Sequence, residues 1–229
     1  MTFSIVARDP QTGTLGIAIS TAMPCVGAGC PYVKTSVGAI ASQAWTNPRL
    51  GVDGLKLLGL GLSPEVAITT LLNEDEGAAR RQVGAVDAWG RVFAYSGVEC
   101  VGWSGHRTSA EGGSASGGGH QYSVQGNMLV GGETIEAMAA AFERTEAMLP
   151  ARLMAALEAG QAAGGDKRGR VSAAIIVRAP PSALWEGIDA RVDEHPDPVA
   201  ELRRIFNVVQ EHAREMQAEL ERLREARGK

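Results

Sequence analysis

This sequence predicts an α+β fold with antiparallel sheets, a pattern that allows a four-layer αββα sandwich, and an extended C-terminal helix. Three observations carry that expectation. Strand-like segments come in runs separated by helical segments, not in strict β-α-β alternation, which favours antiparallel sheets. The helical segments fall in two pairs, one for each sheet. Many of the 29 glycines sit inside short apolar segments, as tight turns and close backbone approach in a sheet require.

The elements follow in chain order. Phe3, Ile5 and Ala7 alternate with Thr2, Ser4 and Val6, so residues 2–7 predict a strand that begins at once. A second strand over 15–20 is joined to it through Asp9-Pro10-Gln11-Thr12-Gly13, which has turn chemistry. Residues 21–35 read as irregular because Pro24, Gly27, Gly29 and Pro31 punctuate them. A strand over 36–43 follows, then helices near 48–59 and from Ser63, where Pro64 and Glu65 mark an N-terminus. Residues 81–87 and 91–96 predict a hairpin. Residues 97–121 read as a long loop whose Gly/Ser tract, Gly112 to Gly119, is expected to be mobile. A strand over 122–129 precedes alanine-rich helices over 133–146 and 150–160, broken near Pro150. Strands over 171–178 and 188–193 lead to a last helix from Pro198 to about Arg227. Leu202, Ile205, Val209, His212, Met216 and Leu223 form its apolar stripe, suited to its own domain or to a partner helix. The expected division is a domain over 1–196 and a helix over 197–229 that mediates a homodimer.

Composition narrows the function. A formal net charge of −4 offers no basic field, so no nucleic-acid partner is expected. No apolar run approaches the roughly 20 residues that span a bilayer, and no secretion signal is visible. Three cysteines without C-x-x-C spacing suggest neither a disulfide framework nor a metal site, and the expected setting is the cytoplasm. No phosphate loop occurs, and no cofactor is expected.

Thr2 is the sharpest chemical signal. With Met1 removed, it would carry a hydroxyl and a free α-amine, a nucleophile with its own base. Four polar clusters could serve it. Gln43 and Asn47 flank Trp45 after an apolar strand; Asn47 before Pro48 is equally a helix cap. His106 lies beside Arg107 and Ser104, either binding an anion or simply exposed. Ser123, Gln125 and Asn127 share one strand face, and Asn127 could donate to an oxyanion. Asp166 and Arg168 lie in the charged loop Gly164-Gly165-Asp166-Lys167-Arg168-Gly169-Arg170, where they could orient an amine or bind a carboxylate.

Several stretches together resemble the DUF1028 family, a bacterial family of unknown function placed in the N-terminal nucleophile (Ntn) hydrolase superfamily. They include T-F-S-I-V-A-R-D-P at 2–10, V-G-A-I-A-S-Q-A-W at 37–45, Y-S-V-Q-G-N at 122–127, L-E-A-G-Q-A-A-G-G-D-K-R-G-R at 157–170 and R-V-D-E-H-P-D-P-V-A-E-L-R-R at 191–204. The resemblance runs from residue 2 to about 206. It implies the αββα sandwich and, by superfamily analogy, hydrolysis of a small amide or acyl-amino compound with Thr2 as nucleophile. A ligand-binding role without catalysis is the alternative. The resemblance further implies a lysine beside the amine, matched by Lys34, and an acidic partner on the second strand, where this chain has Ala18.

Overall fold

The computed structural model describes residues 2–109, 119–183, 185 and 187–227. Met1 and Gly112 to Gly118 of the Gly/Ser tract lie outside the described residues. The fold is mixed α and β. Sheet A contains β1 (Thr2–Arg8), β2 (Leu15–Thr21), β7 (Trp103–Thr108), β8 (Gln121–Leu129), β9 (Ser172–Arg178) and β10 (Gly187–Val192). Sheet B contains β3 (Pro31–Lys34), β4 (Gly38–Ala44), β5 (Arg81–Asp87) and β6 (Val92–Ser96). The helices are α1 (Val26–Gly29), α2 (Pro48–Gly59), α3 (Pro64–Asn73), α4 (Glu133–Arg144), α5 (Leu149–Ala162) and α6 (Pro198–Arg227).

Sheet A runs β10-β9-β2-β1-β8-β7 and sheet B runs β3-β4-β5-β6. All of these pairings are antiparallel. Alternation along each strand divides the buried residues into three layers. Phe3, Ile5, Ala18, Val124 and Ile175 face α4, α5 and α6. Val6, Ile17, Ile19, Ala39, Ala41 and Val86 lie between the sheets. Ile40, Val83 and Ala85 pack against Leu50 and Leu58 of α2 and Ile68 of α3.

Three elements differ from the sequence-based expectation. The stretch over 21–35 contains α1 and the four-residue strand β3, short enough for Pro31 to open it at the sheet edge. The long loop over 97–121 contains β7, a polar edge strand paired with β8. α5 starts at Leu149, with Pro150 in its first turn.

The expected boundary at 196/197 falls where α6 begins, yet the helix first belongs to the domain core. Val199, Leu202 and Phe206 are buried with the sheet A residues. Arg203 grips Glu158 of α5 with two hydrogen bonds of 2.6 Å. Beyond these turns, Glu211 to Met216 are exposed. Among the described residues, no helix is long and apolar enough to cross a membrane.

Candidate active site at the head of β1

The strand that begins at Thr2 is central in sheet A, between β2 and β8. Thr2 pairs with Thr21 on one side and Asn127 on the other. It is only 6% exposed. Its side chain shares the inter-sheet face with Ser4 and Val6, and its Oγ1 donates to Thr21 Oγ1 at 3.2 Å.

The segment after α5 crosses the end of β1. Asp166 makes an isolated antiparallel bridge with Leu129, just past the end of the Thr2–Asn127 pairing. On the other side its Oδ2 accepts from Ala22 N at 3.0 Å, one residue past Thr21. Arg168 N donates to Oδ1 at 2.9 Å, and the Arg168 guanidinium adds an ion pair at 3.3 Å. The backbone of Asp166 is thus tied to the β8 end by its bridge to Leu129, while its buried carboxylate meets the residue after β2, at the end where Thr2 begins. Positive-φ Gly164 and Gly165 allow the turn that brings it there.

The inter-sheet layer beside Thr2 is polar and fully connected. Gln43 of β4 donates through Nε2 to Gln82 Oε1 at 2.8 Å and lies 3.3 Å from the Thr2 carbonyl oxygen. Ser4 Oγ donates to Gln43 Oε1 at 2.7 Å and accepts from Gln125 Nε2 at 2.6 Å. Ser123 Oγ donates to Gln125 Oε1 at 2.7 Å. Asn127 Nδ2 donates to Gln82 Oε1 at 2.9 Å. Ser4, Gln43, Gln82, Ser123, Gln125 and Asn127 are all buried, so these bonds satisfy groups that would otherwise be costly. Gly84 makes room: a Cβ there would meet Gln125 Oε1 at 2.0 Å.

Two non-glycine residues with positive φ border the site, Ala44 (68°) after Gln43 and Met128 (52°) after Asn127. Met128 is the extra residue of a β-bulge, because Trp103 pairs with Leu129 while Ser104 pairs with Asn127. Bulges re-aim strand ends near functional sites. Met23, Trp45, Val98, Val101 and Val130 follow or precede strands at this end, Trp103 opens β7, and these side chains are 41–94% exposed, an apolar rim.

The residues singled out by sequence divide accordingly. Thr2, Gln43, Asn127, Asp166 and Arg168 come together. Gln43 is a buried inter-sheet bridge, not an exposed substrate contact. His106 is also drawn inward, half-buried, with Nδ1 3.0 Å from Ser96 Oγ. Asn47 is an N-cap: Oδ1 accepts from Arg49 N at 3.0 Å and Nδ2 donates to Asp75 Oδ2 at 2.6 Å. Both ends of its amide are therefore used structurally. Arg81 forms an ion pair with Asp75 at 2.9 Å and, with Asn47, holds its carboxyl well below the usual carboxylate range.

Lys34 is not brought to Thr2. It pairs with Gly38, whereas β4 reaches the site only at Gln43, five residues or roughly 17 Å along the strand. Its neighbour Thr35 instead lines a cavity of about 790 Å³ with Arg178 and Trp185, at the opposite end of the sheets. Ala18 faces the helices on the other side of sheet A, so no side chain there would meet Thr2. The nearby carboxylate is Asp166, from a different segment. Sequence reading missed Gln82 because it stood alone in an apolar strand. The signal was there: Gln43 and Gln82 each end the apolar face of a strand with a buried amide.

Among the described residues, no group of three or more His, Cys, Asp or Glu side chains is placed to hold a metal ion. The cysteines are free thiols, and burial pushes the Cys30 thiol up, away from thiolate reactivity.

Residues 2–202 match the family model described as a family of unknown function, DUF1028. A crystal structure of a DUF1028 protein from Silicibacter pomeroyi is 32% identical, with a TM-score of 0.78 over 90% of this chain and 84% of that one. A slighter likeness is to Anbu (ancestral beta-subunit) from Yersinia bercovieri, at 9% identity and a TM-score of 0.41 over 92% of this chain and 96% of that one. Curated proteins give no match. The segment that carries Asp166 across β1, and the strand that starts at Thr2, both lie inside the matched span, and the chain belongs to the DUF1028 family, a family of unknown function.

Proposed function

We propose that the two sheets and their covering helices form the αββα sandwich of the Ntn superfamily, and that the protein is an amidohydrolase acting on a small acyl-amino compound. The observation that carries this reading is the place of Thr2. It heads a central strand, its hydroxyl faces the inter-sheet layer beside Thr21, and the Asp166 segment crosses that strand end, bridging Leu129 through its backbone and Ala22 N through its carboxylate. Once Thr2 is the first residue, its α-amine takes the hydroxyl proton as Oγ1 attacks the substrate carbonyl. Asn127 donates to the resulting oxyanion. The leaving nitrogen takes the proton and departs, leaving an ester on Thr2 that water then hydrolyses. Asp166, held by Arg168, orients the Thr2 amine, the role first sought at Ala18. The apolar rim suits an aliphatic or aromatic acyl group.

The test starts from protein whose free Thr2 amine is verified by intact mass. A β-lactone probe should add its full mass at Thr2, as the hydroxyl opens the ring to an ester. Thr2→Ala should lose all labelling. Undiminished labelling in that variant would overturn the reading.

A second reading, ligand binding without turnover, is favoured by one observation: Lys34 stands at the far end of the sheets. It predicts thermal stabilisation by acyl-amino acids with neither hydrolysis nor labelling. Dimerisation through distal α6 is a separate proposal. Truncation after Gln210 should lower the mass measured in solution, and an unchanged mass would refute it.

A further inference from the structure

We propose that Gln82 is the positioning residue of this site, setting the orientation of Gln43 and Asn127 by holding its own amide one way round. The inference rests on the reading of Thr2 and Asn127 given above. Gln82 is fully buried on β5. Its Oε1 accepts from Gln43 Nε2 at 2.8 Å and Asn127 Nδ2 at 2.9 Å. Its Nε2 lies 2.7 Å from Gly126 O, 3.1 Å from Gly105 O and 2.8 Å from Ser96 Oγ. A carboxamide offers two acceptor positions and two hydrogens on different atoms. Turning Gln82 over would set its oxygen against two backbone carbonyl oxygens and its NH2 group against two donors. Only one orientation is therefore satisfied.

That orientation propagates. Asn127 must turn its nitrogen, not its oxygen, toward Gln82, which fixes the hydrogen-bonding character it presents elsewhere. Gln43 must do the same, leaving its Oε1 to Ser4 and its Nε2 near the Thr2 carbonyl. Gly126 and Gly105 belong to sheet A, and Ser96 to sheet B. One side chain of sheet B is thereby keyed to fixed backbone groups of sheet A on one side and to the site amides on the other. Gln82 contacts no reacting atom; it acts through Asn127 and Gln43.

The experiment measures β-lactone labelling of Thr2 per folded molecule, on full-length protein with a free Thr2 amine. Gln82→Met keeps the length and removes every donor and acceptor. Labelling should slow about tenfold to a hundredfold, the scale of lost orientation at an acyl-transfer site. Gln82→Glu serves if that variant folds poorly. Its protonated carboxyl keeps an acceptor oxygen and one O–H donor, part of the amide's pattern, whereas the ionised form cannot donate to Gly126 O. Its labelling rate relative to the original protein, taken at each pH, should be highest at low pH and fall as the introduced carboxyl ionises. A merely structural role would give wild-type rates per folded molecule at all pH values, and that result overturns the proposal. Should the original protein fail to label, the Thr2 reading fails, and side-chain amide exchange measured by NMR decides for Gln82. The Asn127 amide should exchange at least tenfold faster in Gln82→Met; unchanged exchange overturns the positioning role.

Discussion

The layer between the two sheets has two unlike halves. Under β2 and β9 it is apolar, with Leu15, Ile17, Ile19 and Ala174 interlocked. Under β8 and β5 it is a chain of amides and hydroxyls, Ser4, Gln43, Gln82, Ser123, Gln125 and Asn127. The apolar half needs only shape and volume, and its stability comes from area removed from water. In the polar half every group depends on a particular partner, so it contributes little net stability but allows few alternative arrangements. Both halves touch β1. The strand gains a rigid floor from one and oriented hydrogen-bonding groups from the other.

Four perturbations test this contrast. Ile17→Ala in the apolar half should cost about 2–5 kcal/mol in denaturant unfolding. Labelling of Thr2 per folded molecule should stay unchanged; a matching loss of reactivity would erase the distinction between the halves. Gln43→Leu in the polar half should cost about 1–3 kcal/mol, because Ser4 and Gln82 lose a partner. Adding Gln82→Leu should cost less than the sum of the singles, with a coupling of about 0.5–3 kcal/mol in a double-mutant cycle.

The third perturbation uses pH at the site end of sheet B, where Arg81 and Asn47 clasp Asp75. The folded Asp75 carboxyl titrates below its unfolded value of about 3.9, so its stabilisation is complete above that pH. It declines as pH falls toward the lower folded value. The stability gap between the original protein and Asp75→Asn should be constant near neutrality and shrink below about pH 4. A gap that widens on acidification would reverse the assignment. The smallest effect is expected at the far end. Lys34→Ala should change stability by no more than about 0.5 kcal/mol and leave labelling unaltered. A large drop in labelling would restore Lys34 to the site.

Local signals made most of the architecture readable. The alternation at Phe3-Ser4-Ile5 and the Ser63-Pro64-Glu65 start of α3 state their structure in a few residues. β3 and β7 were hidden because Pro31 and the glycines around it, and the polar W-S-G-H-R-T run, suppress the apolar period that marks a strand. Both depend on neighbours that a local pattern does not contain. The candidate site was legible where chemistry is intrinsic to a residue, as at Thr2 and Asp166, which the fold brings to one strand end. It was illegible where distance decides, as at Lys34, whose separation along the chain suited Thr2 but whose hairpin carries it to the other end. Asn47 shows a third case, in which capping and binding ask for the same side chain.

The central place of β1 has a consequence for timing. Its two partners come from residues 15–21 and 121–129, so its second edge stays open until much of the chain has been made. At roughly 5–20 residues per second, synthesis of the intervening stretch takes on the order of 6–25 s. Once β8 pairs and the Asp166 segment crosses the strand end, Thr2 is almost wholly buried. On the proposed reading of Thr2, the step that liberates its amine is a race on the nascent chain. The same reading has the proportion of molecules with a free Thr2 amine set during translation, so that a faster ribosome or a scarcer peptidase would yield well-folded protein without it.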